Sequence, residues 1–94
     1  MRRAARVDVT QEAIVDALLA VGCKVQTLAP LGMGVPDLLV RTPLGSLWLM
    51  EVKSPGGELT PAQKKWHKWW GGGIGVVETP EDALRWLGID RNTP

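Results

Sequence analysis

The chain has 94 residues, a formal net charge of +1 and 45% apolar residues, which together exclude a disordered polar chain and bound it to one domain with a modest core. The near-zero charge excludes recognition of a polyanion by bulk charge alone. Cys23 is the only cysteine, which excludes an internal disulfide and a cysteine-based zinc site.

No apolar run is long enough to cross a membrane, and the run from Ala13 to Val21 is interrupted by Asp16, so no secretory leader is expected. With its single cysteine, the chain reads as intracellular and cytoplasmic.

Residues 1–7 read as a loose basic arm carrying Arg2, Arg3 and Arg6. Asp8 or Thr10 is expected to cap a helix that runs to about Val21 and stops at Gly22. Ile14, Ala17, Leu18 and Val21 form its apolar stripe, with Val15 and Leu19 off it. Lys24 to Leu28 reads as a short strand. Ala29 to Val35, with Pro30, Gly32 and Gly34, reads as a loop.

Two strands follow, Asp37 to Arg41 and Leu47 to Lys53. Between them Thr42-Pro43-Leu44-Gly45-Ser46 carries the chemistry of a three-residue hairpin loop. Proline suits the second position of a type I turn and glycine the left-handed residue after it. If Thr42 faces Ser46, Asp37 faces Glu51 on one side of the sheet. Lys53 shares that side and Val52 points the other way.

Residues 54–59 form a polar connection. Thr60-Pro61-Ala62-Gln63 predicts a capped helix that ends near Trp70, before Gly71-Gly72-Gly73. Ile74 to Val77 reads as a last strand. Thr79-Pro80-Glu81-Asp82 opens a final helix ending near Gly88, and 89–94 reads as a frayed tail. The order is α-β-β-β-α-β-α across a single 1–94 domain, an α/β protein with a mixed central sheet flanked by helices.

Asp37, Glu51 and Lys53 are the residues that stand out. As single residues each reads as a surface charge in a cross-strand pair. Together they do not, because two opposed carboxylates repel and one lysine neutralises only one of them. Mg²⁺ or Mn²⁺ accepts two carboxylates, a backbone carbonyl such as that of Val52, and waters. Such an ion and Lys53 suit hydrolysis of a charged ester.

Asp followed by Glu-x-Lys on a hairpin is the PD-(D/E)xK nuclease pattern. Gly34-Val35-Pro36-Asp37-Leu38-Leu39-Val40, Leu49-Met50-Glu51-Val52-Lys53 and Leu59-Thr60-Pro61-Ala62-Gln63 resemble the VRR-NUC family. Trp66-His67 and Val76-Val77 followed by Thr79-Pro80-Glu81-Asp82-Ala83-Leu84 extend the likeness. The resemblance runs from Asp8 to about Leu87 and is nearest to the small stand-alone members of phages and bacteria.

It implies a restriction-endonuclease-like core, a divalent metal and phosphodiester hydrolysis. Asp37 and Glu51 match the metal ligands, Lys53 the catalytic lysine, and Gln63 a glutamine beside the site. It also implies a homodimer acting on branched DNA, including four-way (Holliday) junctions. The alternative is a DNA-structure-binding module that keeps the fold and cuts little. Members often add a Glu near the start of the first helix, and here Asp8, Gln11 and Glu12 compete for that place.

The second helix carries two stripes, Gln63-His67-Trp70 and Ala62-Trp66-Trp69. Its tryptophans read first as core packing, in a chain with no Phe or Tyr. The alternative is stacking on unpaired bases, with lysines on phosphate. His67 lies one turn after Gln63 and faces the same way, either as a substrate contact or as a packed histidine. Arg2, Arg3, Lys64 and His67 are the candidate DNA contacts.

Overall fold

The computed structural model describes residues 5–89. Its elements are α1 (Ala5–Ala20), β1 (Lys24–Thr27), a 3₁₀ turn (Ala29–Leu31), β2 (Leu38–Arg41), β3 (Leu47–Val52), α2 (Pro61–Trp70), β4 (Ile74–Val77) and α3 (Pro80–Leu87). The order agrees with the one read from the sequence, with the 3₁₀ turn added inside the expected loop.

The first helix differs at its start. Neither Asp8 nor Thr10 caps it; both lie inside α1. Ala5 and Arg6 are strong helix formers, and no glycine or proline before Thr10 stops the helix from extending backwards. Of the expected basic arm, Arg2 and Arg3 lie outside the described residues, and residues 5–7 belong to α1. At the other end Ile89 packs against the core and its N–H donates to the Leu84 carbonyl at 2.9 Å. The rest of the expected frayed tail, 90–94, lies outside the described residues.

The hairpin between β2 and β3 sets the register of the sheet. Thr42 N–H donates to Ser46 O at 2.9 Å and Gly45 N–H to Thr42 O at 2.8 Å. Gly45 has a φ of 95°, the left-handed conformation that the turn requires there and that glycine adopts without steric cost. Leu38 then pairs with Met50, Leu39 with Leu49, Val40 with Trp48 and Arg41 with Leu47. This is the predicted alignment, and one step further along it Asp37 stands opposite Glu51.

The sheet order is β1-β2-β3-β4, antiparallel except for the last pair, β3 with β4. A parallel pair needs a crossover, and α2 provides it. Alternation then separates the two sheet faces. One carries Leu38, Val40, Met50 and Val52, which join Ile14 and Leu18 of α1 and Ala83 and Leu84 of α3 in the core. Burying such side chains stabilises the domain by roughly 1.5–3 kcal/mol each. The other face carries Asp37, Leu39, Leu49 and Glu51 and lies under α2.

That second layer is thin. Among the described residues no side chain of α2 is fully buried. Trp69 is 73% exposed and Trp70 52% exposed, so core packing does not account for them. Trp66 is half-buried and stacks on Trp70, with ring centroids 4.9 Å apart and planes 15° from parallel. Among the described residues no helix is long and apolar enough to cross a membrane.

Candidate active site

Asp37 is fixed from both sides. Its carbonyl accepts the Leu28 N–H at 2.7 Å, which extends the β1–β2 pairing past the end of the ladder. Its Oδ2 accepts the Val52 N–H at 2.7 Å, so the carboxylate bridges to the neighbouring strand. A charge-assisted bond of this length holds the side chain in one orientation. The half-buried carboxylate is aimed across the hairpin at Glu51.

Glu51 is completely buried, and both of its oxygens are engaged. Gln63 Nε2 donates to Oε2 at 3.1 Å, and His67 Nε2 meets Oε1 at 3.2 Å. Burial first, then a hydrogen bond and charge repulsion from Asp37, push its pKa up to about 8 against the pull of Lys53. His67 moves the other way: burial and the Lys53 charge hold its pKa below the usual histidine value. Both shifts favour neutral forms, so the contact at pH 7 is a neutral hydrogen bond.

The direction of Gln63 follows from the helix start. Thr60 Oγ1 accepts the Gln63 N–H at 3.2 Å, and Gln63 Oε1 accepts the Thr60 N–H at 2.8 Å, a complete capping box. With its oxygen committed to the backbone, the amide can offer Glu51 only its NH₂. One turn later His67 reaches the other oxygen, because residues four apart share a helix face. The predicted Gln63–His67 stripe is thus directed at Glu51.

Gly34 keeps α2 and the Asp37 loop in close contact. Its φ is 83°, and a Cβ there would sit 2.3 Å from the Ala62 carbonyl oxygen. Only glycine permits that approach, which places the loop before Asp37 against the first turn of the helix carrying Gln63. Lys53, half-buried, follows β3 on the Glu51 side. Its N–H donates to Val77 O at 2.9 Å, and its charge acts on both Glu51 and His67.

The first helix stays apart from this cluster. Gln11 and Glu12 line a separate groove with Val9, Val15 and Asp16. Among the described residues, no three His, Cys, Asp or Glu side chains are grouped to hold a metal ion. Asp37 and Glu51 are therefore the carboxylates the structure brings together. Lys64 is exposed on α2.

The model of the VRR-NUC domain matches residues 3–69. The chain belongs to the VRR-NUC family. A solved structure described as a VRR_NUC domain is 28% identical, with a TM-score of 0.68, over 85% of this chain and 91% of its own. A comparison with curated proteins finds no match. VRR-NUC is a family of nuclease domains, and the restriction-endonuclease-like reading of the fold stands with it.

In this VRR-NUC domain, three features were not visible in the sequence. The bond from Val52 N–H to Asp37 depends on strand ends meeting in space. The His67 contact is with Glu51, and its only advance signal was the i+4 spacing from Gln63. The clash that reserves position 34 for glycine comes from a helix 28 residues away, and the glycine's place two residues before Pro36-Asp37 was its only sign.

Proposed function

We propose that the domain is a metal-dependent endonuclease that hydrolyses phosphodiester bonds in branched or structured DNA and works as a homodimer. The observation that supports it best is a fully buried Glu51 facing Asp37 with a single lysine beside the pair. Metal-free, Glu51 resolves the excess negative charge by holding a proton to about pH 8. A bound divalent cation would resolve it instead, and two carboxylates and the Val52 carbonyl are the groups that would hold one. Mg²⁺ and Mn²⁺ suit a site with so few protein ligands because such ions keep several waters and take phosphate oxygens.

An ion held there supplies positive charge to the phosphodiester and lowers the pKa of nearby water. The protein's own groups do the rest. Asp37, tied to Val52, presents a fixed carboxylate. Gln63 and His67 keep Glu51 in one rotamer from the opposite side. Lys53 places an ammonium where negative charge builds on the phosphate. A homodimer would place two such sites so that both strands of a junction are cut.

The test is cleavage of linear, flapped, splayed and four-way DNAs with Mg²⁺ or Mn²⁺ and with chelator. The expected result is metal-dependent cutting with preference for branched forms. Cutting that persists in chelator would contradict the metal reading. Binding of branched DNA without cutting in either metal would favour the binding module.

A further inference from the structure

On the Glu51 face of the sheet, one strand step from the site, lies an open groove of about 400 Å³ lined by Leu39, Leu47, Trp48, Leu49, Trp70 and Gly73. Leu39 follows Asp37 by two residues and Leu49 precedes Glu51 by two, so the groove begins about 7 Å along the strands from the carboxylates. Beyond it, Arg41 pairs with Leu47 on the same face, and its guanidinium lies beside Gly45. Arg41 thus stands at the hairpin end of the groove, and the other end opens toward Asp37 and Glu51, with Lys53 two residues further along the chain.

Its roof is aromatic. Trp66 stacks against Trp70 and fixes the ring, and Trp70 remains 52% exposed. The α2 segment that carries it, Pro61 to Trp70, has Lys64, Lys65 and Lys68 and no acidic residue. An apolar slot beside an indole, with Arg41 at one end and the proposed metal site at the other, is complementary to a base whose flanking phosphates lie at those ends. It is poorly matched to a second copy meeting it through the same face, which would set Arg41 and the α2 lysines against their own like charges.

We propose that this groove receives an unpaired nucleobase next to the scissile phosphate, with Trp70 stacking on the base and Arg41 holding the following phosphate. The inference rests on the nuclease reading of the neighbouring site and names what that site selects: a strand that has left its duplex. A fully paired duplex keeps its bases stacked and cannot fill the slot without unstacking one.

The experiment uses the whole chain in chelator, so that nothing is cut. The probe is a splayed duplex carrying 2-aminopurine at its first unpaired position, with a fully paired duplex of equal length as the reference. The expected result is tighter binding of the splayed form and quenching of the 2-aminopurine. Trp70→Ala should lose about 5- to 150-fold in affinity for the splayed form alone, the range of one base–aromatic stack. Trp70→Phe should restore most of it. Trp70 ends α2 and is half exposed, and matching thermal melts for the two variants would confirm that both fold.

Equal affinity of wild type and Trp70→Ala for the splayed DNA would overturn the proposal. So would a change from dimer to monomer on sedimentation with DNA affinity unchanged, which would make the groove a self-association face. If metal-dependent cutting is intact in such a case, only the groove assignment falls. If Trp70-dependent binding appears and no DNA is cut, the nuclease reading falls and the groove stands.

Discussion

Replacing Glu51 by Gln should change how stability depends on pH more than it changes stability itself. In the metal-free protein Glu51 keeps its proton to about pH 8, against 4.5 for an ordinary glutamate carboxyl. Between those values the folded chain binds more protons than the unfolded chain, so stability is highest below the lower value and falls as pH rises through the upper one. The slope approaches about 1.4 kcal/mol per pH unit for one group, or roughly 6–11 °C in Tm for a domain of this size. Over the whole window the loss is on the order of 5 kcal/mol, a large share of a typical domain's roughly 5–15 kcal/mol. Because Asp37 shares the site, the slope belongs to the pair. Glu51→Gln keeps the volume and a hydrogen-bonding end and removes the titration. Thermal melts in chelator from pH 5 to 8 should show the two proteins close together at pH 5 and the variant more stable by roughly 15–30 °C at pH 8. Parallel curves would refute the claim that Glu51 is held protonated by burial and Asp37.

If a divalent ion binds at Asp37 and Glu51, it must displace that proton; Mn²⁺ calorimetry at pH 7 in buffers of different ionisation enthalpy should show about one proton released per ion. No release would place the ion elsewhere. Gly34→Ala forces a left-handed non-glycine residue, which alone costs about 1–3 kcal/mol, and drives a methyl into the Ala62 carbonyl. Its melt should drop by several degrees and cleavage should fall with it, whereas a wild-type melt would show that the loop does not need the close approach. Gln63→Glu keeps an acceptor for the Thr60 N–H but turns a carboxylate toward Glu51. Cleavage should fall about tenfold or more, the equivalent of a lost hydrogen bond to a charged group, with little change in helix stability. Unchanged cleavage would show that the Gln63 amide does not matter to the site.

Much of this was legible in the sequence because it is local. Proline and glycine at fixed places in Thr42–Ser46 dictate the turn, and the turn dictates that Asp37 opposes Glu51. Thr60, Pro61 and Gln63 dictate the start of α2 to the residue. What was not legible depends on which surfaces are covered by neighbours. The tryptophans of α2 look like core from composition, yet the sheet face beneath them is covered by this one helix, so Trp69 and Trp70 remain exposed. The start of α1 is not legible because Asp8 and Thr10 are good caps in isolation, while the helix-forming residues before them carry the helix back to Ala5. His67 could be placed near the cleft by helical spacing, but its contact with Glu51 follows from the distance between α2 and β3, which no spacing rule supplies.

The most direct measurement is single-turnover cleavage of a branched DNA by Lys53→Ala beside wild type, with DNA affinity measured on the same samples. Lys53 is half-buried and makes no salt bridge among the described residues, so the variant should fold and bind DNA nearly as wild type. The expected result is cleavage lowered by orders of magnitude with affinity preserved, as befits a group whose charge acts on the reacting phosphate. Cleavage at the wild-type rate would contradict the assignment of Asp37, Glu51 and Lys53 as the site of hydrolysis.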